Sequence, residues 1–163
     1  MTQNDFHGVN YFGVYALKLS KRGRLASEGP QSFIDTDAVT SPEHFVQALL
    51  RFYRKFKKPI LITENGIATV DDRKRMLFLM TYLLGIHKAI QSGIPIDGYL
   101  YWSLTDNFEW FEPLGKSRFG LVEVDFETMK RTPRKSYYLY KEVCNSTFIN
   151  FPMLVGKYLK DRV

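Results

Sequence analysis

Pro59 launches four strand-forming residues, Ile60-Leu61-Ile62-Thr63, and the run stops on a carboxylate, an amide and a glycine, Glu64-Asn65-Gly66. A short apolar run with a proline before it and a glycine after it reads as a buried strand. The strand backbone fixes the carboxylate, and the glycine lets the chain turn away sharply. In parallel α/β folds the C-terminal strand ends are where active sites are built. By itself the pattern also fits an acid that caps the next helix or closes a turn. A second stretch, Tyr101-Trp102-Ser103-Leu104-Thr105-Asp106-Asn107-Phe108-Glu109-Trp110, weighs for the first reading.

The rest of the chain supplies the frame. Asp5-Phe6-His7-Gly8-Val9-Asn10-Tyr11-Phe12 reads as a short strand with polar groups at its end, where Asn10 either meets a ligand or bonds a neighbouring loop. From Lys18 to Thr40, Ser, Gly, Pro and charge mark an irregular surface excursion. Ser41-Pro42-Glu43 opens a helix, with Ser as N-cap and Pro in the first turn. Phe45, Val46, Leu49, Leu50, Tyr53 and Phe56 then recur at helical spacing until Pro59 stops them. After the Glu64 strand, Asp71 or Asp72 caps a second helix that ends at Gly93. Its buried face is predicted as Met76, Leu77, Met80, Leu83, Leu84, His87 and Ile90. His87 reads as a helix histidine, with no second ligand spaced for a metal. Asp97–Trp102 is a third strand, Gly120–Asp125 a further extended piece, and a last helix starts near Pro133. The connections are long enough for parallel crossovers, so the order predicts an α/β fold of three successive βα units.

Composition removes several functions. The net charge is +6, but its basic residues, among them Lys18, Arg51, Arg73, Lys130 and Arg134, are scattered over helices and loops. No basic stripe with interleaved aromatics emerges, so no nucleic-acid partner is expected. No apolar run reaches membrane-spanning length and Met1–Asp5 is no signal peptide, so no membrane partner and a cytoplasmic location are expected. The single Cys144 leaves neither a disulfide framework nor a cysteine-rich metal site, and neither metal nor cofactor is expected.

Two acids and two tryptophans at strand ends suit a sugar. Sugars present hydroxyl edges around apolar C–H faces, which carboxylates and indoles match respectively. Core filling would explain one tryptophan, but not Asp106, Asn107, Glu109 and Trp110 within one short loop.

Ile-Thr-Glu64-Asn-Gly, together with Trp102-Ser-Leu-Thr-Asp-Asn-Phe-Glu109-Trp110 and Arg118-Phe119-Gly120, resembles the C-terminal part of glycoside hydrolase family 1, the β-glucosidases, β-galactosidases and relatives. The resemblance runs from about Asp5 to Lys141. It implies the C-terminal portion of a TIM (β/α)8 barrel, strands six to eight, incomplete on its own. Asp5–Tyr11 is similar to the sixth strand, Ile60–Glu64 to the seventh and Gly98–Ser103 to the eighth. By the same resemblance Glu64 is the retaining nucleophile and Asn10 lies near the reacting sugar. Glu109 and Trp110 hold the glycone hydroxyls, Trp102 forms the platform beneath that ring, and Phe119 lies towards the entrance. The substrate implied is a β-glucoside or β-galactoside.

A retaining enzyme needs a second carboxyl group, roughly 5 Å from the nucleophile, to protonate the leaving oxygen. The family's T-x-N-E-P motif, which carries it, does not occur in the sequence. A complete barrel takes about 250 residues, so 163 hold three strands of eight. Residues 1–145 are therefore expected to form a partial barrel and 146–163 a tail without family counterpart. The partner expected is a chain bearing the N-terminal barrel half, or failing that a second copy of this one. Phe12 stands where the family usually has a tyrosine that bonds the nucleophile, and Leu139 and Ala38 where tryptophans are common. Two other functions compete: a non-catalytic carbohydrate-binding or interaction fragment, and an inactive truncated gene product.

Overall fold

A computed structural model describes residues 4–13, 17–19, 25–27, 42–110, 112–146 and 149–159. Its centre is a three-stranded parallel sheet in the order β1 (His7–Asn10), β4 (Ile60–Asn65), β5 (Ile96–Tyr101), so the strand that bears Glu64 lies in the middle. Two short antiparallel pairs flank it: β2 (Leu17–Leu19) with β3 (Leu25–Ser27), and β6 (Val122–Val124) with β7 (Arg131–Pro133). The predicted irregular excursion thus contains one ordered antiparallel pair. The N-cap expected at Ser41 and the position of Ala38 lie outside the described residues.

Helix α1 (Pro42–Phe56) joins β1 to β4 by way of the excursion, and α2 (Asp72–Gln91) joins β4 to β5. α1 ends where Lys57 takes a left-handed conformation, φ +53°, a common way to terminate a helix before Pro59. Of the two candidate caps of α2, Asp71 is the one used: its carboxylate accepts from the N–H groups of Arg73, at 2.9 Å, and Lys74. Asp72 instead reaches across to α3 (Lys135–Asn145), accepting from the Ser136 N–H at 3.0 Å and its hydroxyl at 2.6 Å. A carboxylate at a helix N-terminus satisfies donors left free by the helix itself.

One face of the sheet is covered and the other is not. His7, Val9, Ile60, Ile62, Tyr99 and Tyr101 point to the helices and join the core with Phe45, Leu49, Leu79, Tyr82 and Leu139. On the opposite face Gly8 pairs with Leu61 and Leu61 with Gly98, and Leu100 stands 52% exposed. No closed barrel forms among the described residues.

The buried face predicted for α2 needs correction. Met76, Met80 and Leu83 are buried as expected, but Leu77 (53% exposed), Leu84, His87 and Ile90 face outward. Phe78, Leu79, Tyr82, Ile86 and Ala89 are buried in their place. The helix is pressed between α1 and α3 over the sheet, so its covered arc is wide and leaves only a narrow outer stripe. The tail forms α4 (Phe151–Tyr158), capped by Asn150 and held to α3, where Lys157 and Tyr158 meet the Glu142 carboxylate at 2.5 and 2.9 Å. Leu154 of α4 is buried.

The outer edges of β1 and β5 lack strand neighbours among the described residues, and the uncovered face is partly apolar, two features that drive association. Light scattering on the purified chain is expected to give a mass above the 19.1 kDa of one copy. A monodisperse monomer with a sharp, cooperative melt would show that the sheet closes by itself.

Candidate active site

Glu64 occupies the C-terminal end of the central strand and is half-buried. Its backbone is pinned from both sides: Tyr11 N–H donates to the Glu64 carbonyl at 2.8 Å, and Trp102 N–H to that of Asn65 at 2.9 Å. The register slips twice around this point, between Val9 and Asn10 against β4 and between Ile62 and Asn65 against β5. Asn65, fully buried, spans both slips. Its amide donates to the Tyr11 carbonyl at 2.7 Å and its side-chain oxygen accepts from the Tyr99 hydroxyl at 2.9 Å. Gly66 must be glycine, because a Cβ there would stand 1.7 Å from the Trp102 carbonyl oxygen.

Asn10 pairs in register with Glu64 and accepts a 2.6 Å hydrogen bond from the Thr63 hydroxyl, so it lies beside the carboxylate. Trp102 follows β5 directly, the peptide after it is cis, and its indole N–H donates to Glu109 Oε1 at 3.2 Å. Burial pushes the Glu109 carboxyl above the usual glutamate range; the indole bond opposes the rise and the Glu64 charge adds to it. Asn10, Glu64, Trp102 and Glu109 thus converge on one end of the sheet.

The remaining two expected residues stand apart. Trp110 is 84% exposed and touches Phe108 edge to face, at 6.1 Å between ring centroids. Phe119, expected towards the entrance, is 2% exposed, with its ring edge-on to Phe12 at 5.9 Å. The next residue, Gly120, packs hard against the Asp106 backbone. Phe111, which follows Trp110, lies outside the described residues.

Sequence reasoning counted Asp106 with the sugar-loop acids, and the structure places it elsewhere. Its carboxylate is buried and accepts from Arg134 Nη2 at 2.8 Å, Arg118 Nη1 at 3.2 Å and the Gly120 N–H at 2.8 Å. Burial works against its charge, but Arg134 and the Gly120 and Val124 N–H groups outweigh it and hold the carboxyl below the usual aspartate range. Arg75 went unnoticed in the sequence, its charge hidden in a helical stripe. It is fully buried, pairs with Asp72 at 2.7 Å, and donates to the carbonyls of Thr69 and Arg118, tying the loop after β4 to the loop after β5. Among the described residues no group of His, Cys, Asp and Glu is arranged to hold a metal, and no helix is long and apolar enough to cross a membrane.

Parallel strand–helix units with carboxylates and an indole gathered at the C-terminal strand ends are the arrangement on which α/β-barrel enzymes build their active sites. The chain belongs to glycosyl hydrolase family 1, whose model matches residues 15–148. Among its relatives, the β-glucosidase A of Acetivibrio thermocellus is 40% identical over 155 residues, covering 85% of this chain and 34% of that protein. The chloroplastic galactolipid galactosyltransferase SFR2 of Arabidopsis thaliana is 33% identical over 151 residues, 87% of this chain and 23% of that protein. The β-glycosidase from Pyrococcus horikoshii superposes with a TM-score of 0.82 at 38% identity, over 94% of this chain and 37% of that one. The chain therefore spans between 23% and 37% of the length of these relatives.

The Glu64–Glu109 coupling has a measurable sign. A carboxyl whose folded pKa is raised costs more to ionise folded than unfolded, so its contribution to stability falls as pH rises from the ordinary to the raised value. Emission of Trp102, followed against pH in a Trp110→Phe chain, is expected to report a Glu109 midpoint above the ordinary glutamate value. Glu64→Gln is expected to lower that midpoint, since it removes a charge that raises it. A midpoint indifferent to Glu64→Gln would break the electrostatic link.

Proposed function

We propose that this chain is the nucleophile-bearing part of a retaining β-glycosidase acting on β-glucosides and β-galactosides. The observation that carries the reading is the convergence of Glu64, Asn10, Trp102 and Glu109 at one end of the parallel sheet. In this reading β1, β4 and β5 are barrel strands six, seven and eight. Glu64 attacks the anomeric carbon and forms the glycosyl-enzyme, while a carboxylic acid from the rest of the barrel protonates the departing oxygen. That acid, now a carboxylate, then takes a proton from the water that releases the sugar. Trp102 lies under the glycone ring, Asn10 beside it, Glu109 and Trp110 take its hydroxyls, and Phe119 contributes to the wall of the site.

The remaining five strands and the acid come from a segment or chain that covers the exposed face of Leu61 and Leu100. Hydrolysis of an aryl β-glucoside tests the reading. The chain alone is expected to give no turnover, and the chain mixed with the N-terminal portion of a family relative to give turnover. Glu64→Gln in that mixture should lower the rate by roughly a thousandfold or more. Robust turnover by the chain alone, or a near-normal rate with Glu64→Gln, would overturn it.

The sugar is unphosphorylated in this reading. Glu109 would repel a phosphate dianion on the glycone, so a plain glucoside should be preferred over its 6-phosphate by about tenfold or more in kcat/KM. A preference for the phosphorylated sugar would contradict the assignment of Glu109.

A further inference from the structure

Downstream of β5 the chain runs Ser103–Asp106 and then projects the arm Asn107–Trp110, in which Asn107 and Glu109 are half-buried and Phe108 and Trp110 exposed. Phe108 is 57% exposed, and the arm is braced by the Phe108–Trp110 ring contact and by a backbone bond from the Glu112 N–H to the Glu109 carbonyl at 3.1 Å. Its root is fixed very differently. Leu121 N–H donates to the Ser103 carbonyl, Val122 N–H to that of Leu104, and Asp106 N–H to that of Val122, all at 2.9–3.0 Å. A Cβ on Gly120 would stand 2.2 Å from the Asp106 nitrogen, so the two strips lie backbone on backbone.

The Asp106 carboxylate locks this contact with both oxygens. Oδ1 accepts from the Gly120 N–H at 2.8 Å and Arg134 Nη1 at 3.2 Å, while Oδ2 accepts from Arg134 Nη2 at 2.8 Å, Arg118 Nη1 at 3.2 Å and the Val124 N–H at 3.3 Å. The donors come from the loop before β6, from β6 itself and from the residue that precedes α3, so one anion joins three separate segments to the arm. Buried charge-assisted bonds of this kind are strong and directional. Without the anion, two guanidinium groups would face one another with their shared partner gone.

We propose that Asp106 is a positioning residue for sugar recognition, setting the direction in which the Asn107–Trp110 arm leaves the sheet and so the place where Glu109 meets the Trp102 indole. Glu64 is held independently, by Asn65 and the strands on either side of it. Disturbing Asp106 therefore falls on the grip of the glycone and spares the attacking carboxylate. This second half rests on the glycosidase reading; the first does not.

The experiment has two arms. The chain holds two tryptophans, so labelling with 5-fluorotryptophan gives two ¹⁹F resonances, which Trp110→Phe assigns. Asp106→Asn is expected to move the Trp102 resonance to the position it takes in Glu109→Gln, where the indole has lost its anionic acceptor, and Asp106→Glu to return it at least part of the way. Should Asp106→Asn fail to fold, Arg118→Met removes a more exposed donor and must move the same resonance in the same direction. In the mixture with the N-terminal portion, Asp106→Asn is expected to raise KM for the aryl β-glucoside about tenfold with kcat within about threefold. An unmoved Trp102 resonance in the folded variants, or a loss confined to kcat, would overturn the proposal. If the unsubstituted mixture shows no turnover, the glycosidase reading fails and the fluorine spectra alone decide the role of Asp106.

Discussion

The end of β4 has to present two consecutive side chains to two different places, Glu64 to the open end of the sheet and Asn65 to the protein interior. The register slips on both sides of this point, and each slip strands backbone groups that burial makes costly, about 1–3 kcal/mol for each unpaired group. Asn65 resolves the difficulty with one side chain. Its amide takes the Tyr11 carbonyl on one side, its oxygen takes the Tyr99 hydroxyl on the other, and its own carbonyl receives the Trp102 N–H. The direction of Glu64, the exit of β5 and the position of Trp102 all follow from that knot. Gly66 completes it, since any side chain there would collide with the Trp102 carbonyl.

A second knot holds the loops to the helices. Arg75 is fully buried, pairs with the Asp72 carboxylate and donates to backbone carbonyls on the loops after β4 and β5. Asp72 also serves the first turn of α3. Breaking a buried pair by deleting one partner typically costs about 3–5 kcal/mol, because the survivor keeps its desolvated charge. The arrangement therefore couples both functional loops to the order of α2 and α3. Tyr140 extends the coupling into the sheet, its hydroxyl donating to the Tyr99 carbonyl at 2.9 Å.

Three strands carry this much organisation because the helices cover one face, burying Ile60, Ile62 and Tyr101. The other face, with Gly8, Leu61, Gly98 and Leu100, has no such cover among the described residues. Two glycines there permit close approach: a Cβ on Gly98 would stand 2.9 Å from Leu61 Cδ1, and one on Gly8 3.2 Å from Thr63 Cγ2. These family relatives are well over twice as long, and in the proposed function the part of the enzyme that this chain does not span is what meets this surface.

Much of this was legible in the residues. Pro59 and Gly66 bracket β4, Asp71 stands where a helix must begin, and the α/β order follows from periodicities of two and 3.6 read along one dimension. The family follows from contiguous residues around Glu64 and Glu109, because chemistry at a strand end is written in neighbouring positions. What the sequence could not decide were properties that depend on partners distant in the chain. Asp106 looks like a sugar-loop acid until Arg118 and Arg134 are found on it, and the burial of Phe119 against Phe12 joins residues far apart in the chain. The sequence pattern places the buried side of α2 on one stripe, whereas packing against both α1 and α3 widens it. Periodicity tells which residues share a face, but only the assembled layers tell how many faces are covered.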